Sequence, residues 1–444
     1  MNRLGVITLG LGLSLTACGG RSTPPPPPQD PPPPPATINV VNHIVYMLQE
    51  NESFDRYFGQ LNAYRQSQGL TANVDVTPAD ASNPSYDGTQ TVAPFHMLSM
   101  CVEALTPFWN QSHYDWNRKA PTSGSPLMNG FVFSAGLIDQ KGYDSSGKRA
   151  MGYYDQGDLP YYYFMATQFA ISDRWFSPVM TSTRASRMYA MAATSQGVID
   201  RPLAEVEVPT IFDELQKAGV TWKDYVPDFP NGSSLNAFPA YSKYLKKNIV
   251  PMSQYFSDVK NGKLPQVAFI DDDAQGELDE HPGPGVSVQK GSAYVASIIN
   301  ALMKSSAWKD SVFFLTYDEE GGFYDHVPPV PTVSPDGVPP NLVPGDICAT
   351  TTGPTCDFTY TGFRIPNIVV SPFAVPHLVD HTPIDTTAIL AFIEKRFGLS
   401  PLTKRDAAQP DISFFFDYGG APNMTPPTPP SAPSDGPCYV NALP

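Results

Sequence analysis

Two pairs of oxygen-bearing side chains stand where apolar runs stop. Ile44–Leu48 leads into Gln49-Glu50-Asn51, and Val312–Tyr317 leads into Asp318-Glu319-Glu320. A third run, Val267–Ile270, ends in Asp271, Asp272 and Asp273. Brought together, Glu50, Asn51, Asp318 and Glu319 form a donor set for a hard or borderline divalent cation. Carboxylates this close in a drying pocket repel one another without one. A single pair of this kind is ordinarily a helix cap or a solvated loop. Two pairs in the same context point to a shared site.

The elements that must position these groups are legible in the same runs. Short, continuous apolar stretches suit strands buried on both faces, as in a parallel sheet. Asn367–Val370, which runs into Ser371-Pro372, is a fourth. Between the runs, Thr210–Ala218, Ser292–Met303 and Thr386–Phe397 have helical spacing, and Gly219 and Gly398 are placed as C-caps. The alternation predicts an α/β fold with helices on both faces of a mostly parallel sheet. Ligands of such sheets collect at the carboxyl ends of the strands, where the acidic residues fall.

Composition bounds the partners. The net charge is −15, with 28 basic residues against 43 acidic ones. That balance argues against nucleic acid, which needs a basic face, and against a polybasic hold on an anionic membrane. Aromatics reach 12%, as expected of a folded chain. Residues 1–18 read as a signal peptide whose Leu15-Thr16-Ala17-Cys18 resembles a lipobox, with Cys18 as the lipidated residue. Residues 19–37 hold two five-proline runs and read as a semi-rigid tether. The chain is therefore expected to be exported and anchored at a bacterial envelope by an N-terminal lipid, or secreted if Cys18 is not modified. Residues 38–418 read as one catalytic body and 419–444 as a proline-rich tail. Cys348 and Cys356 suit a local disulfide across a Thr-rich loop, which would leave Cys101 for Cys438, but four cysteines allow three pairings. Tyr161–Phe164 read as core rather than as a lipid-facing rim.

The segment from Glu50 to Gly59, ENESFDRYFG, resembles the ENxSFDxYFG signature of the bacterial phosphoesterase family, which holds the non-specific phospholipases C and a related acid phosphatase. The resemblance continues in order through Pro94–Met97, Ser112-His113, Met128–Phe131, Met151–Tyr154, Asp158–Pro160, Asp279-Glu280-His281-Pro282, Thr316–Val327, Arg364–Pro372 and Ile393–Gly398. It implies an alkaline-phosphatase-like three-layer α/β/α sandwich and a hydroxyl nucleophile held against a metal. Phe176–Arg187 is similar to the family's SVMGPTxPNR. Aligning Arg187 puts Thr183 at the nucleophile, with Ser182 as the alternative. The resemblance further implies Glu50, Asn51, Asp318, Glu319 and Thr183 as metal ligands. It places His281 and His96 near the transferring phosphoryl group, with Asp279 orienting His281. His113 and His326 are secondary candidates.

The sequence departs from the pattern in places. Glu320 stands for the histidine of TYDEHGG, and Ala185-Ser186 for Pro-Asn. No histidine occurs between His113 and His281, where Asn236 is the nearest substitute, and Thr386 stands where a histidine often precedes the last helix. The expected activity is metal-dependent hydrolysis of phospholipids or small phosphoesters through a phospho-threonine. The alternatives are a phosphomonoesterase and an anchored binding protein without turnover.

Overall fold

The computed structural model describes residues 37–137, 142–201 and 206–443, together with Met1. Residues 2–36, on which the expected signal peptide, Cys18 and nearly all of the expected tether fall, lie outside the described residues.

The four apolar runs form strands as expected, and two further strands join them. In chain order these are β1 (His43–Gln49), β2 (Trp222–Val226), β3 (Ile249–Pro251), β4 (Val267–Ile270), β5 (Ser311–Tyr317) and β6 (Asn367–Val370). Their spatial order is β6-β5-β1-β4-β2-β3. All neighbours run parallel except β5 and β6, which are antiparallel. β2 and β3 were not visible as apolar runs. Lys223 and Asp224 interrupt β2, and each finds a local partner: Lys223 an ion pair with Asp258, and buried Asp224 a hydrogen bond from the Ser233 hydroxyl at 2.6 Å.

Helices cover both faces. They are α1 (Phe54–Phe58), α2 (Trp109–Trp116), α3 (Pro160–Gln168), α4 (Thr183–Ala192), α5 (Ile211–Lys217), α6 (Ser253–Lys260), α7 (Val288–Met303) and α8 (Thr387–Phe397). α7 packs on α3 and α6, while α4 packs on α5 and α8, giving three layers. Thr210 caps α5 in a reciprocal capping box with Asp213. α8 stops at Gly398, whose φ of +67° suits glycine. Tyr161, Tyr162 and Tyr163 on α3 are buried. No helix among the described residues is long and apolar enough to cross a membrane.

Among the described residues the proline-rich tail forms no helix or strand, and it is fastened to the body. Cys101 pairs with Cys438, and Cys348 with Cys356. Met100 N–H donates to the Pro437 carbonyl (2.6 Å), and the indole N–H of Trp308 donates to the Asn423 carbonyl (2.9 Å).

One core group gives a stability prediction. Burial, then the neighbouring Asp406, pushes the Glu394 carboxyl on α8 up to about 9. A carboxyl raised in the folded state contributes stability that is whole below its unfolded value, near 4.5, and is lost as pH rises toward 9. Glu394→Gln is expected to match the wild type in melting temperature near pH 4.5 and to exceed it by a growing margin up to pH 9. Melting curves across that range check it; a constant difference contradicts it.

Candidate active site

Register brings the acidic groups to one edge. Gln49 lies opposite Tyr317, and Met47 opposite Ile270, on strands that run the same way. Glu50, Asp318 and Asp271 therefore emerge together at the carboxyl ends of β1, β5 and β4. The Asp318 carboxylate organises the turn: its Oδ1 accepts the backbone N–H of Asn51 (3.1 Å) and of Glu319 (2.8 Å). Gly321 N–H donates to Glu319 Oε2 (2.8 Å). Gly321 has φ +71°, and a Cβ there would meet the Asn51 carbonyl at 2.2 Å, so only glycine lets these two loops cross. Asn51 itself sits at φ +60°, a region asparagine tolerates.

Thr183 is the first residue of α4 and is half-buried. Its hydroxyl donates to Glu50 Oε2 at 3.3 Å. Ser182 is buried, occupies the N-cap position without capping the helix, and turns its hydroxyl to Asp200 (3.4 Å). Asp200 also accepts the Thr181 hydroxyl (2.5 Å) and the Trp109 N–H (3.0 Å), fixing the loop before α4. The first N–H groups of α4 thus lack a side-chain cap beside the Thr183 hydroxyl, an arrangement that receives anions. One turn along, Arg187 meets four carboxylates: Asp272 (2.7 Å), Glu50 (3.0 Å), Asp271 (3.3 Å) and Asp318 (3.4 Å).

The charge balance at this edge is negative. Burial, reinforced by Asp318, pushes Glu50 well above the usual carboxylate range. Burial, then Glu320, does the same to Glu319. Burial, then Asp272, raises Asp279 to about 7. Burial opposes the charge on Arg187, but Asp272, Glu50 and Asp318 outweigh it and raise its pKa.

The side chain of Asn51 tests whether a cation fits. One end of its amide faces Glu50 Oε2 at 2.9 Å and Glu319 Oε1; the other faces His281 Nε2 at 3.1 Å. With nitrogen toward the carboxylates, the amide oxygen accepts from a protonated His281 Nε2. However, His281 Nδ1 lies 2.9 Å from the Pro282 carbonyl and must be the donor there. A cation seated between the carboxylates would turn the amide over, bringing its oxygen to the metal and its nitrogen to Nε2. Its oxygen would then join those of Glu50 and Glu319, with the Thr183 hydroxyl beside them. An oxygen cluster of this composition is what a hard divalent cation binds. In donor type the residues fit the metal; by distance, the carboxylate and histidine groups that gather within 4.8 Å among the described residues are Asp55, Asp325 and His326, and His96, Asp155 and Asp158.

These groups open into a cleft of about 390 Å³, lined by Glu50, Thr183, Arg187, Asp272, Ser234 and Asn236, with partly exposed Phe108 at its rim. Asn236, the nearest substitute for the histidine absent between His113 and His281, is among these lining residues.

Several expected residues stand elsewhere. His96 bonds Asp158 (2.7 Å) on a short strand beside Gly152-Tyr153, and no hydrogen bond or ion pair among the described residues joins it to Glu50 or Thr183. His113 is buried with both ring nitrogens against carbonyls, of Trp109 (2.6 Å) and Thr355 (2.8 Å), and burial lowers its pKa. His326 belongs to a buried ion network with Asp55 (2.8 Å) and Asp75 (3.2 Å). Asp279 does not hold the His281 ring; its carboxylate accepts the His281 backbone N–H (3.2 Å). Asp200, Ser234 and the pairing of Asp271 and Asp272 with Arg187 were not foreseen. The run of three aspartates after β4 was their one sequence signal.

A parallel sheet with an acidic site, a helix N-terminus and a hydroxyl at its strand ends defines a hydrolytic α/β enzyme. The profile of the phosphoesterase family matches residues 41–400. The chain belongs to the phosphoesterase family, and it is a hydrolase of phosphoric esters. Phospholipase C B of Mycobacterium tuberculosis is 29% identical over 450 residues, covering 91% of this chain and 82% of the relative. Non-specific phospholipase C4 of Arabidopsis thaliana is 31% identical over 401 residues, covering 83% and 70%. Among solved structures, a protein in the alkaline phosphatase superfamily from Vibrio parahaemolyticus overlaps 79% of this chain and 78% of its own, with 11% identity and a TM-score of 0.36.

Proposed function

We propose that this protein is a metal-dependent phosphoesterase of phospholipase C type that works through a phospho-threonine. The observation that carries the reading is the Thr183 hydroxyl, set at the uncapped start of α4 and directed at Glu50 within the oxygen cluster. A divalent cation held by Glu50, Asn51, Asp318 and Glu319 with the Thr183 hydroxyl would favour the ionised hydroxyl and offset charge on the phosphoryl oxygens. Thr183 Oγ1 attacks phosphorus in line, the bond to the first alcohol breaks, and Oγ1 becomes esterified. Water then cleaves that ester, releasing the phosphorylated product and restoring the hydroxyl. The N–H groups at the start of α4, and Arg184, which also lines the cleft, stabilise the equatorial oxygens, the main demand of phosphoryl transfer. His281 stands beside Asn51 and is the histidine this scheme assigns to protonate the leaving alcohol. The exposed ring of Phe108 suits the organic part of a phospholipid or related diester. His96 takes no role in this scheme. Export and an N-terminal lipid on Cys18 belong to the same reading, since they place the enzyme beside its lipid substrate.

Purified protein beginning at residue 37 is assayed on phosphatidylcholine, a soluble phosphodiester and a soluble phosphomonoester, with and without chelator. Turnover on the two diesters that chelator removes and divalent cation restores is expected. Monoester turnover alone would make the protein a phosphatase. Folded protein inert on all three, with cation supplied, would overturn the phosphoesterase reading.

A further inference from the structure

Beneath the proposed site lies a carboxylate that the reaction scheme does not use. Glu280 sits between Asp279 and His281, is 1% exposed, and has a backbone φ of +69°. That turn sends its side chain down into the fold, away from its neighbours. Four donors surround it. Tyr57 and Tyr317 donate to Oε2 at 2.6 and 2.7 Å; Tyr162 donates to Oε1 at 2.5 Å, and Gln49 at 3.4 Å. The rings of Tyr57 and Tyr317 meet edge to face at 5.7 Å, and Tyr57 lies 6.0 Å from Tyr162, so the three phenols form one cage. Gly291 on α7 completes it: a Cβ there would come within 2.2 Å of Glu280 Cγ.

The placement of the donors carries the argument. Gln49 precedes Glu50, Tyr317 precedes Asp318, and Glu280 precedes His281. On the two strand ends, and in the loop that follows β4, one residue stands at the proposed site while its immediate neighbour belongs to the cage: Gln49 and Tyr317 as donors, Glu280 as the common carboxylate. We propose that Glu280 is a positioning residue, a clamp that holds the segments bearing Glu50, Asp318 and His281 in mutual register.

The inference rests on the phosphoesterase reading for its kinetic arm but not for its structural one. A carboxylate offers four acceptor positions, and all four are taken. Glutamine would turn an N–H₂ toward two donors, and Gly291→Ala would push the intact carboxylate out of the cage. Both are milder than Glu280→Ala, which would strand three buried hydroxyls. Both variants are compared with the wild type by kcat, KM, melting temperature and the Cε1–H resonance of His281, assigned by its loss in His281→Ala.

The clamp predicts a fall in kcat of about 10–100-fold with KM little changed, as for other groups that orient a reacting shell. It also predicts a displaced or broadened His281 resonance in both variants, in protein that remains folded. Unchanged kcat, or a His281 resonance unmoved in folded Glu280→Gln and Gly291→Ala protein, would overturn it. If the wild type lacks turnover, the phosphoesterase reading fails on its own, and the His281 resonance still decides the clamp.

Discussion

Thr183→Ala is expected to lower kcat on the preferred phosphodiester by about 10³–10⁵-fold, the scale seen when a nucleophile is deleted and the rest of a site is kept. The fold should hardly notice. Thr183 makes one hydroxyl contact, 3.3 Å to Glu50, and the loop before α4 is fixed by Asp200 through Thr181, Ser182 and the Trp109 N–H. Its melting temperature should therefore stay close to that of the wild type. Thr183→Ser restores a hydroxyl at the same point and is expected to recover a measurable part of the rate. Initial rates of the three proteins, with Ser182→Ala as control, check this. Full activity in Thr183→Ala with loss in Ser182→Ala would move the nucleophile one residue back.

The second large effect is on folding. Arg364 is fully buried, with Nη2 on Asp55 (2.8 Å), Nε on Asp325 (3.0 Å) and Nη1 on the carbonyls of Asp75 (2.9 Å) and Asp173 (3.1 Å). Its guanidinium also lies 4.3 Å over the ring of Phe54. Arg364→Met keeps much of the volume and removes the charge, leaving buried Asp55 with the ring and backbone N–H of His326, and buried Asp325 with only the backbone N–H groups of Asp55 and Val327. Breaking a buried pair from one side typically costs ~3–5 kcal/mol. Denaturant unfolding of Arg364→Met should show a loss of that order. A loss below about 1 kcal/mol, within the range of ordinary surface substitutions, would mean that the network relaxes or takes up water.

This network explains part of what the sequence could and could not tell. Asp55 lies in ENESFDRYFG, Asp325 and His326 in the segment after β5, and Arg364 just ahead of β6. All four fall in motifs that read as chemical signatures, yet they close on one another as scaffold. The pairs Glu50-Asn51 and Asp318-Glu319 were legible because strand ends are a local signal: an apolar run stops and an oxygen follows. The roles of histidines were not legible, because a ring's partner is set by tertiary contact. His96 finds Asp158, and His113 finds two carbonyls, one of them 242 residues away. The direction of β6 was hidden for a similar reason. Asn367–Val370 is as apolar as its parallel neighbours, so its composition does not distinguish the antiparallel sense it adopts. β2 escaped because a buried strand can carry Lys223 and Asp224 when Asp258 and Ser233 are waiting in the fold.

The bond between Cys101 and Cys438 spans 337 positions of sequence. Over that span the chain is a closed covalent ring that threads through most of the sheet, both helical layers and the cleft. A protease cut in any loop inside the ring opens it without separating the pieces. Under non-reducing conditions a singly nicked molecule keeps its full mass and the nick shows only after reduction, so loop damage in an oxidising environment need not release a fragment of the enzyme.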